Sequence, residues 1–226
     1  MSVSFYRNML NKEMKSFGRF SKKIVENLKK QDRNMDIIYS AHKSYCLNEI
    51  QKYDTIIIVS HGGPDAIYHK YDFKNSRHQI LLNKDNLGIL KDRKIIAISC
   101  ATARELGREA CKSGGCKAFL GFYNKIHFDK LNKEIASRKY RFFVWECYKD
   151  TFAQVIEEAI KNNWTFGKLK EVLNIELRRA VTARALEIKR KKPKFYKSHG
   201  LDQAILAVTD VSNNINVFGD EQEKVN

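Results

Sequence analysis

Thr55-Ile56-Ile57-Ile58-Val59 runs into Ser60-His61-Gly62-Gly63-Pro64, and further along Lys94-Ile95-Ile96-Ala97-Ile98-Ser99 runs into Cys100. Both stretches are continuously apolar, β-branched and short. Runs of that kind belong in the centre of a sheet that is covered by helices on both faces. The first ends on an abrupt turn signal, with two glycines and a proline.

Working outward, Thr102 to Lys112 reads as a helix ended by Gly114 and Gly115, and Lys117-Ala118-Phe119-Leu120-Gly121 reads as a third buried strand. Upstream, Met35-Asp36-Ile37-Ile38-Tyr39 reads as a first strand and Ser44 to Tyr53 as a helix. Ile67 to Phe73 and His78 to Leu82 flank Lys74-Asn75-Ser76-Arg77 as a surface hairpin. Asn83 to Leu90 is a short helix. From about Arg141 to Leu186 the pattern is helical, with a break near Asn162 to Gly167. Phe143, Cys147, Phe152, Ile156 and Ile160 share one face, and Leu169, Val172, Leu173, Leu177 and Val181 share another. Ala204 to Val208 and Ile215 to Phe218 flank Ser212-Asn213-Asn214, which predicts a terminal hairpin or an edge strand. Strands alternating with helices imply an α/β fold with a mostly parallel central sheet, helices on both faces and a helix-rich C-terminal part.

Before this unit, Met1 to Lys30 is basic and amphipathic, with Met9, Leu10, Met14, Phe17, Phe20, Ile24 and Leu28 at helical spacing. The expected organisation is an N-terminal amphipathic helix over 1–34 and one α/β domain over 35–226. Glu13 and Glu26 argue against a presequence. No apolar run approaches the roughly 20 residues that span a bilayer. Five cysteines at irregular spacing, with no CxxC pair, exclude the common zinc and redox motifs. A cytoplasmic protein with reduced thiols and no membrane partner is expected. The formal charge of +16 admits a polyanionic partner such as nucleic acid, although a lysine-rich soluble surface is its plainer reading.

In open parallel sheets, sites form at the carboxyl ends of strands. Two central strands end there in reactive side chains, His61 and Cys100. If the strands are neighbours, a thiol and an imidazole meet at one edge, a candidate nucleophile and acid–base pair. Gly62 and Gly63 leave room for close approach. Cys100 is read as opening a helix, whose amides would lower the thiol pKa and bind an oxyanion. Singly, a cysteine after a strand is more often a small buried hydrophobe.

These segments, with the continuation Ala101-Thr102-Ala103, Glu105 to Ala110, Gly114-Gly115 and Ala118 to Phe122, resemble the caspase-like (clan CD) cysteine peptidase superfamily. That group holds caspases, metacaspases, gingipains, separases and, most similar here, bacterial CHAT domains. The likeness covers most of residues 35 to 220, but its specific motifs occupy only two short stretches. It implies a cysteine endopeptidase in which Cys100 attacks the scissile carbonyl and His61 protonates the departing amine and then activates water. It also implies that the amides of Gly62 and Cys100 form the oxyanion hole, that protein or peptide is the substrate, and that no metal or organic cofactor takes part. Bacterial members act in defence or programmed death under the control of a partner, so a separate activating or sensor protein is expected. The position two before the nucleophile, polar or acidic in caspases and metacaspases, is Ile98 here, so Ile98 gives no support to an Arg- or Asp-binding pocket. Asp65 is a further substrate-binding candidate, with a turn role as its plainer reading.

Cys46 and Cys147 read as core, Cys111 and Cys116 as structural, and His42, His69, His78, His127 and His199 carry no ligand pattern. Arg184 to Lys197 is the densest basic run, interleaved with Phe195 and Tyr196. It reads as an exposed loop, a self-cleaved or regulatory segment, or a nucleic-acid contact. Two rival classes stand beside the peptidase: a catalytically silent module of the same fold, and a basic nucleic-acid-binding protein.

Overall fold

The computed structural model describes residues 2–8, 12–72, 77–131 and 135–226. A six-stranded sheet organises them. Its strands are β1 (Val3–Arg7), β2 (Met35–Ile38), β3 (Thr55–Val59), β6 (Lys94–Ile98), β7 (Ala118–Phe122) and β8 (Ile215–Gly219), in the order β2-β1-β3-β6-β7-β8. All neighbours pair in parallel except β7 and β8. Strands β4 (Ala66–Asp72) and β5 (Arg77–Asn83) form a separate antiparallel hairpin.

Alternation along the central strands sends Ile57, Val59, Ile96 and Ile98 to one face and Ile56, Ile58, Ile95 and Ala97 to the other. The first face is covered by α1 (Lys12–Phe17), α2 (Phe20–Lys29), α5 (Arg138–Lys161), α6 (Phe166–Lys191) and α8 (Leu201–Asn213). The second is covered by α3 (Lys43–Ile50), a 3-10 helix (Lys84–Leu90), α4 (Leu106–Lys112) and the hairpin. The mostly parallel sheet, its two helical layers and the helix-rich C-terminal part are as the sequence predicts. Each fully buried isoleucine stabilises the sheet by about 1.5–3 kcal/mol. The long helices start where Ser137 Oγ accepts from Tyr140 N–H and Thr165 Oγ accepts from Lys168 N–H.

The N-terminal segment departs from the expected helix. Val3–Arg7 is a fully buried strand between β2 and β3, so Met35–Ile38 is the second strand of the chain and lies at the sheet edge. Helix does follow, in α1 and α2, where Met14, Phe17, Phe20, Ile24 and Leu28 face the core as the spacing predicts. Met9 and Leu10, and the turn Lys74 to Ser76, lie outside the described residues. Ile215–Gly219 is the edge strand that the sequence offers as one of two readings, while Ala204 to Val208 belongs to α8 and forms no hairpin with it. The basic run is not a loop: α6 continues to Lys191, and Pro193 opens α7 (Pro193–Ser198). Proline suits that first helical position, where its missing N–H costs nothing.

Candidate active site

β3 and β6 are parallel neighbours, with Val59 opposite Ile98. His61 and Cys100 each follow that pair by two residues, so both leave the sheet at the same edge and at the same level. The two connections touch at Gly62. A methyl group there would run into Ser99 Oγ and stand 2.9 Å from the Cys100 carbonyl oxygen and 3.0 Å from Thr102 Cγ2. Glycine is required here by close approach alone.

Each connection is braced. Beyond His61 the chain folds back, with Gly63 N–H donating to Ala66 O (2.8 Å) and Tyr68 N–H to His61 O (3.0 Å). Beneath it the buried Asn8, at the end of β1, donates from Nδ2 to Ser60 Oγ and to Tyr68 O, both at 2.6 Å. The Cys100 turn is tied to the segment after β7: Ala101 N–H donates to Asn124 O (3.1 Å), Ala103 N–H to Phe122 O (3.0 Å) and Arg104 Nε to Tyr123 O (2.7 Å). Ala101 turns the chain sharply, at φ +60°. For a residue with a Cβ that left-handed conformation costs roughly 1–2 kcal/mol.

Cys100 does not open a helix. Residues 100–105 form turns and α4 begins at Leu106. The thiol is pushed up from its ordinary value, chiefly by burial, against the opposing pull of the Ile126 N–H (3.3 Å from Sγ) and the Lys125 ammonium. The expected thiol-lowering helix terminus is therefore replaced by a weaker device, one amide and one cation on the neighbouring segment, and the resting sulfur carries its proton. Behind it Tyr148 is fully buried, and its hydroxyl has no hydrogen-bond partner among the described residues. Its pKa is driven well up by burial, with Tyr140, Cys147, Cys100 and Asp210 adding to the effect.

Of the two expected oxyanion donors, neither Gly62 N–H nor Cys100 N–H donates to another residue among the described residues. Asp65 stands exposed at the tip of the turn after Pro64. Ile98 is 2% exposed and packs in the core, so it offers a substrate no surface. Ser99 Oγ, between the two connections, is buried with no partner among the described residues.

Elsewhere Cys46 and Cys147 are buried, while Cys111 and Cys116 share a hydrogen bond that pulls the first thiol down and pushes the second up. His69 is a core residue, its Nδ1 2.7 Å from Tyr6 Oη and its Nε2 3.2 Å from Ala41 O. His127 lies 3.9 Å from Asp210. No group of three or more His, Cys, Asp or Glu residues among the described residues could hold a metal ion. Among the same residues no helix is long and apolar enough to cross a membrane.

Sequence reasoning missed Asn8, Arg104 and the 122–126 segment. Asn8 had a signal: Val3 and Phe5 alternate with Ser4 and Tyr6 at strand period, and Asn8 follows. Tyr123-Asn124-Lys125-Ile126 carries no motif, and only folding brings it to Cys100. No protein-family profile matches the chain, and no curated protein matches it.

Proposed function

We propose that the chain is a cysteine endopeptidase of the caspase-like type, most similar to bacterial CHAT domains, with Cys100 as nucleophile and His61 as acid–base. The observation that carries this reading is the register of β3 and β6, which sets His61 and Cys100 level at one sheet edge with their connections in contact. His61 takes the thiol proton as Cys100 sulfur attacks the scissile carbonyl. The C–N bond breaks, the same proton passes to the departing amine, and the acyl group stays on sulfur as a thioester. Water then gives a proton to His61 and its oxygen to the acyl carbon, which releases the acid and the thiol. Gly62 and Cys100 N–H would hold the oxyanion, each worth roughly 3–4 kcal/mol. Asp65, and Glu105 whose N–H donates to Pro64 O (3.2 Å), are exposed carboxylates beside this edge that can meet a basic substrate side chain.

The raised thiol fits a resting, partner-gated enzyme. In this reading a separate activator shifts the segment that lies over Cys100 through Ile126. A raised thiol equally suits a catalytically silent module of the same fold. The deciding experiment exposes a whole-cell proteome to wild type, Cys100→Ala and His61→Ala, with and without cell extract as a source of activator, and reads new protein N-termini by mass spectrometry. Termini that appear with wild type and vanish with both variants are expected. Identical profiles under every condition would reject the peptidase and leave the silent module.

A further inference from the structure

Two basic segments far apart in sequence meet at the start of α5. Lys139 Nζ lies over the Phe195 ring at 5.4 Å, and Ser137 Oγ is 3.2 Å from His199 Nδ1. α7 is thereby laid beside the first turn of α5. Arg190, Lys192, Lys194 and Lys197 are exposed, and none has an ion-pair partner among the described residues. Among the described residues at this surface, Glu187 is held by Lys191 (2.6 Å) and Asp129 by Arg141 (3.3 Å), while Asp202 lies near Gly200.

Arg138, also exposed, joins this ridge to a cavity of about 740 Å³ walled by Phe128, Arg141, Phe142 and Trp145. Phe142 is 61% exposed and stacks on Trp145, with ring centroids 6.0 Å apart at 20°. Phe142 thus offers a free aromatic face beside the Arg138 and Arg141 guanidinium groups, a platform on which a flat ring can stack. Stacked aromatics next to a cationic track are what a flexible polyanion with flat, stackable groups requires. A duplex hides its base faces, and a membrane headgroup has none.

From these features we infer that α7 and the N-terminal part of α5 form a binding site for single-stranded nucleic acid. The phosphates follow Arg190, Lys192, Lys194, Lys197 and Lys139 to Arg138, and a base enters the cavity against Phe142. The site lies on the α5 side of the sheet and does not depend on the peptidase reading.

The test is fluorescence anisotropy of a labelled oligo(U) strand and its deoxy counterpart titrated with the full chain over a series of salt concentrations. Binding should weaken steeply with salt, because each neutralised phosphate releases counterions. Converting Lys139, Lys194 and Lys197 together to Gln should raise Kd at least about tenfold and lower the log–log salt slope by about 2. Phe142→Ala should raise Kd at least about fivefold through lost stacking. A matched triple on the opposite face, Lys84, Lys91 and Lys112 to Gln, should leave Kd within about twofold. Equal weakening by the two triples would mean diffuse charge attraction and overturn the site. No effect of Phe142→Ala would remove the base from the cavity. Binding to phosphatidylserine vesicles without oligonucleotide binding would replace nucleic acid by a membrane and overturn the proposal.

Discussion

Gly62→Ala probes the contact on which the candidate active site rests. The new methyl would overlap Ser99 Oγ and meet the Cys100 carbonyl at 2.9 Å and Thr102 Cγ2 at 3.0 Å. Ser99 can rotate, but the other two cannot yield easily. The carbonyl belongs to a turn pinned through Ala101 N–H to Asn124 O, and Thr102 Oγ1 is held by Ser99 O at 3.2 Å. The His61 connection must therefore lift by about half an ångström, at an overpacking cost of about 1–3 kcal/mol. Alanine also stiffens the unfolded chain, which returns about 0.4–1 kcal/mol. A net loss of about 1–2 kcal/mol is expected in urea denaturation. Ser99→Ala alone removes a buried hydroxyl with no partner, so it should be neutral or stabilise by up to about 1 kcal/mol. In the double variant it should recover part of the loss, a coupling of at least about 0.5 kcal/mol. If cleavage activity is in hand, Gly62→Ala should lower kcat/KM by roughly tenfold, since a full ångström of misplacement costs about a hundredfold. A Gly62→Ala chain as stable as wild type, or one whose loss is indifferent to Ser99, would refute the contact.

Ala101→Gly relieves the left-handed strain beside Cys100 and should change stability by no more than about +1 kcal/mol, whereas Ala101→Val should cost at least about 1–2 kcal/mol; paired thermal melts decide, and equal effects would contradict the φ of +60°. Ala41 O can only accept, so His69 Nε2 donates to it and Nδ1 accepts from Tyr6 Oη; Tyr6→Phe leaves Nδ1 without that donor and should cost about 1–3 kcal/mol in urea at pH above 6.5. His69 is held below its ordinary 6.5 chiefly by burial, so its stabilisation is present above that pH and is lost as pH falls through the folded value, which a pH series of the same denaturation curves would display. Iodoacetamide labelling of Cys100 in the resting chain should climb only above the ordinary thiol value of 9.0, and the stability tied to its proton, full below that pH, should be lost as pH rises through the folded value; labelling that levels off near neutrality would overturn the protonated resting thiol.

The strands that carry the chemistry were legible because each is buried on both faces and must be apolar at every position. Ile56–Val59 and Ile95–Ile98 leave no other reading. β1 was hidden by length and mixture. Five residues that include Ser4 and Arg7 are buried by neighbours on both sides, yet they sit beside a longer helical pattern that dominates any window. α8 resembles a strand over Ala204 to Val208 because Leu206, 54% exposed, puts an apolar residue on the solvent side of the helix and hides its period. At the site, the two reactive residues and their glycines could be read, but what surrounds them could not. Asn8 braces Ser60 and Tyr68, Arg104 ties the Cys100 turn to Tyr123, and Ile126 reaches the Cys100 sulfur, all through tertiary bonds that nothing in their local sequence records. The thiol's pKa followed the same rule, since it depends on what lies over the sulfur.

β7 and β8 pair Ala118 with Gly219 only after the chain has passed through α5, α6, α7 and α8. Closing so long an excursion costs little more than closing one of half the length, about 0.6 kcal/mol per doubling. Selection on the fold thus bears lightly on how many residues the excursion holds, so long as its helices still cover the sheet. It bears hard on the landing: Gly219 sits at φ +79° where a Cβ would strike the Lys117 carbonyl, and Ile215 and Val217 must point inward. Descendants of a common ancestor would keep that landing and the two central strand ends while the helical stretch lengthens, shrinks and drifts. A search for kin that weights the strand termini and tolerates large gaps after Phe122 is the one matched to how such a chain diverges.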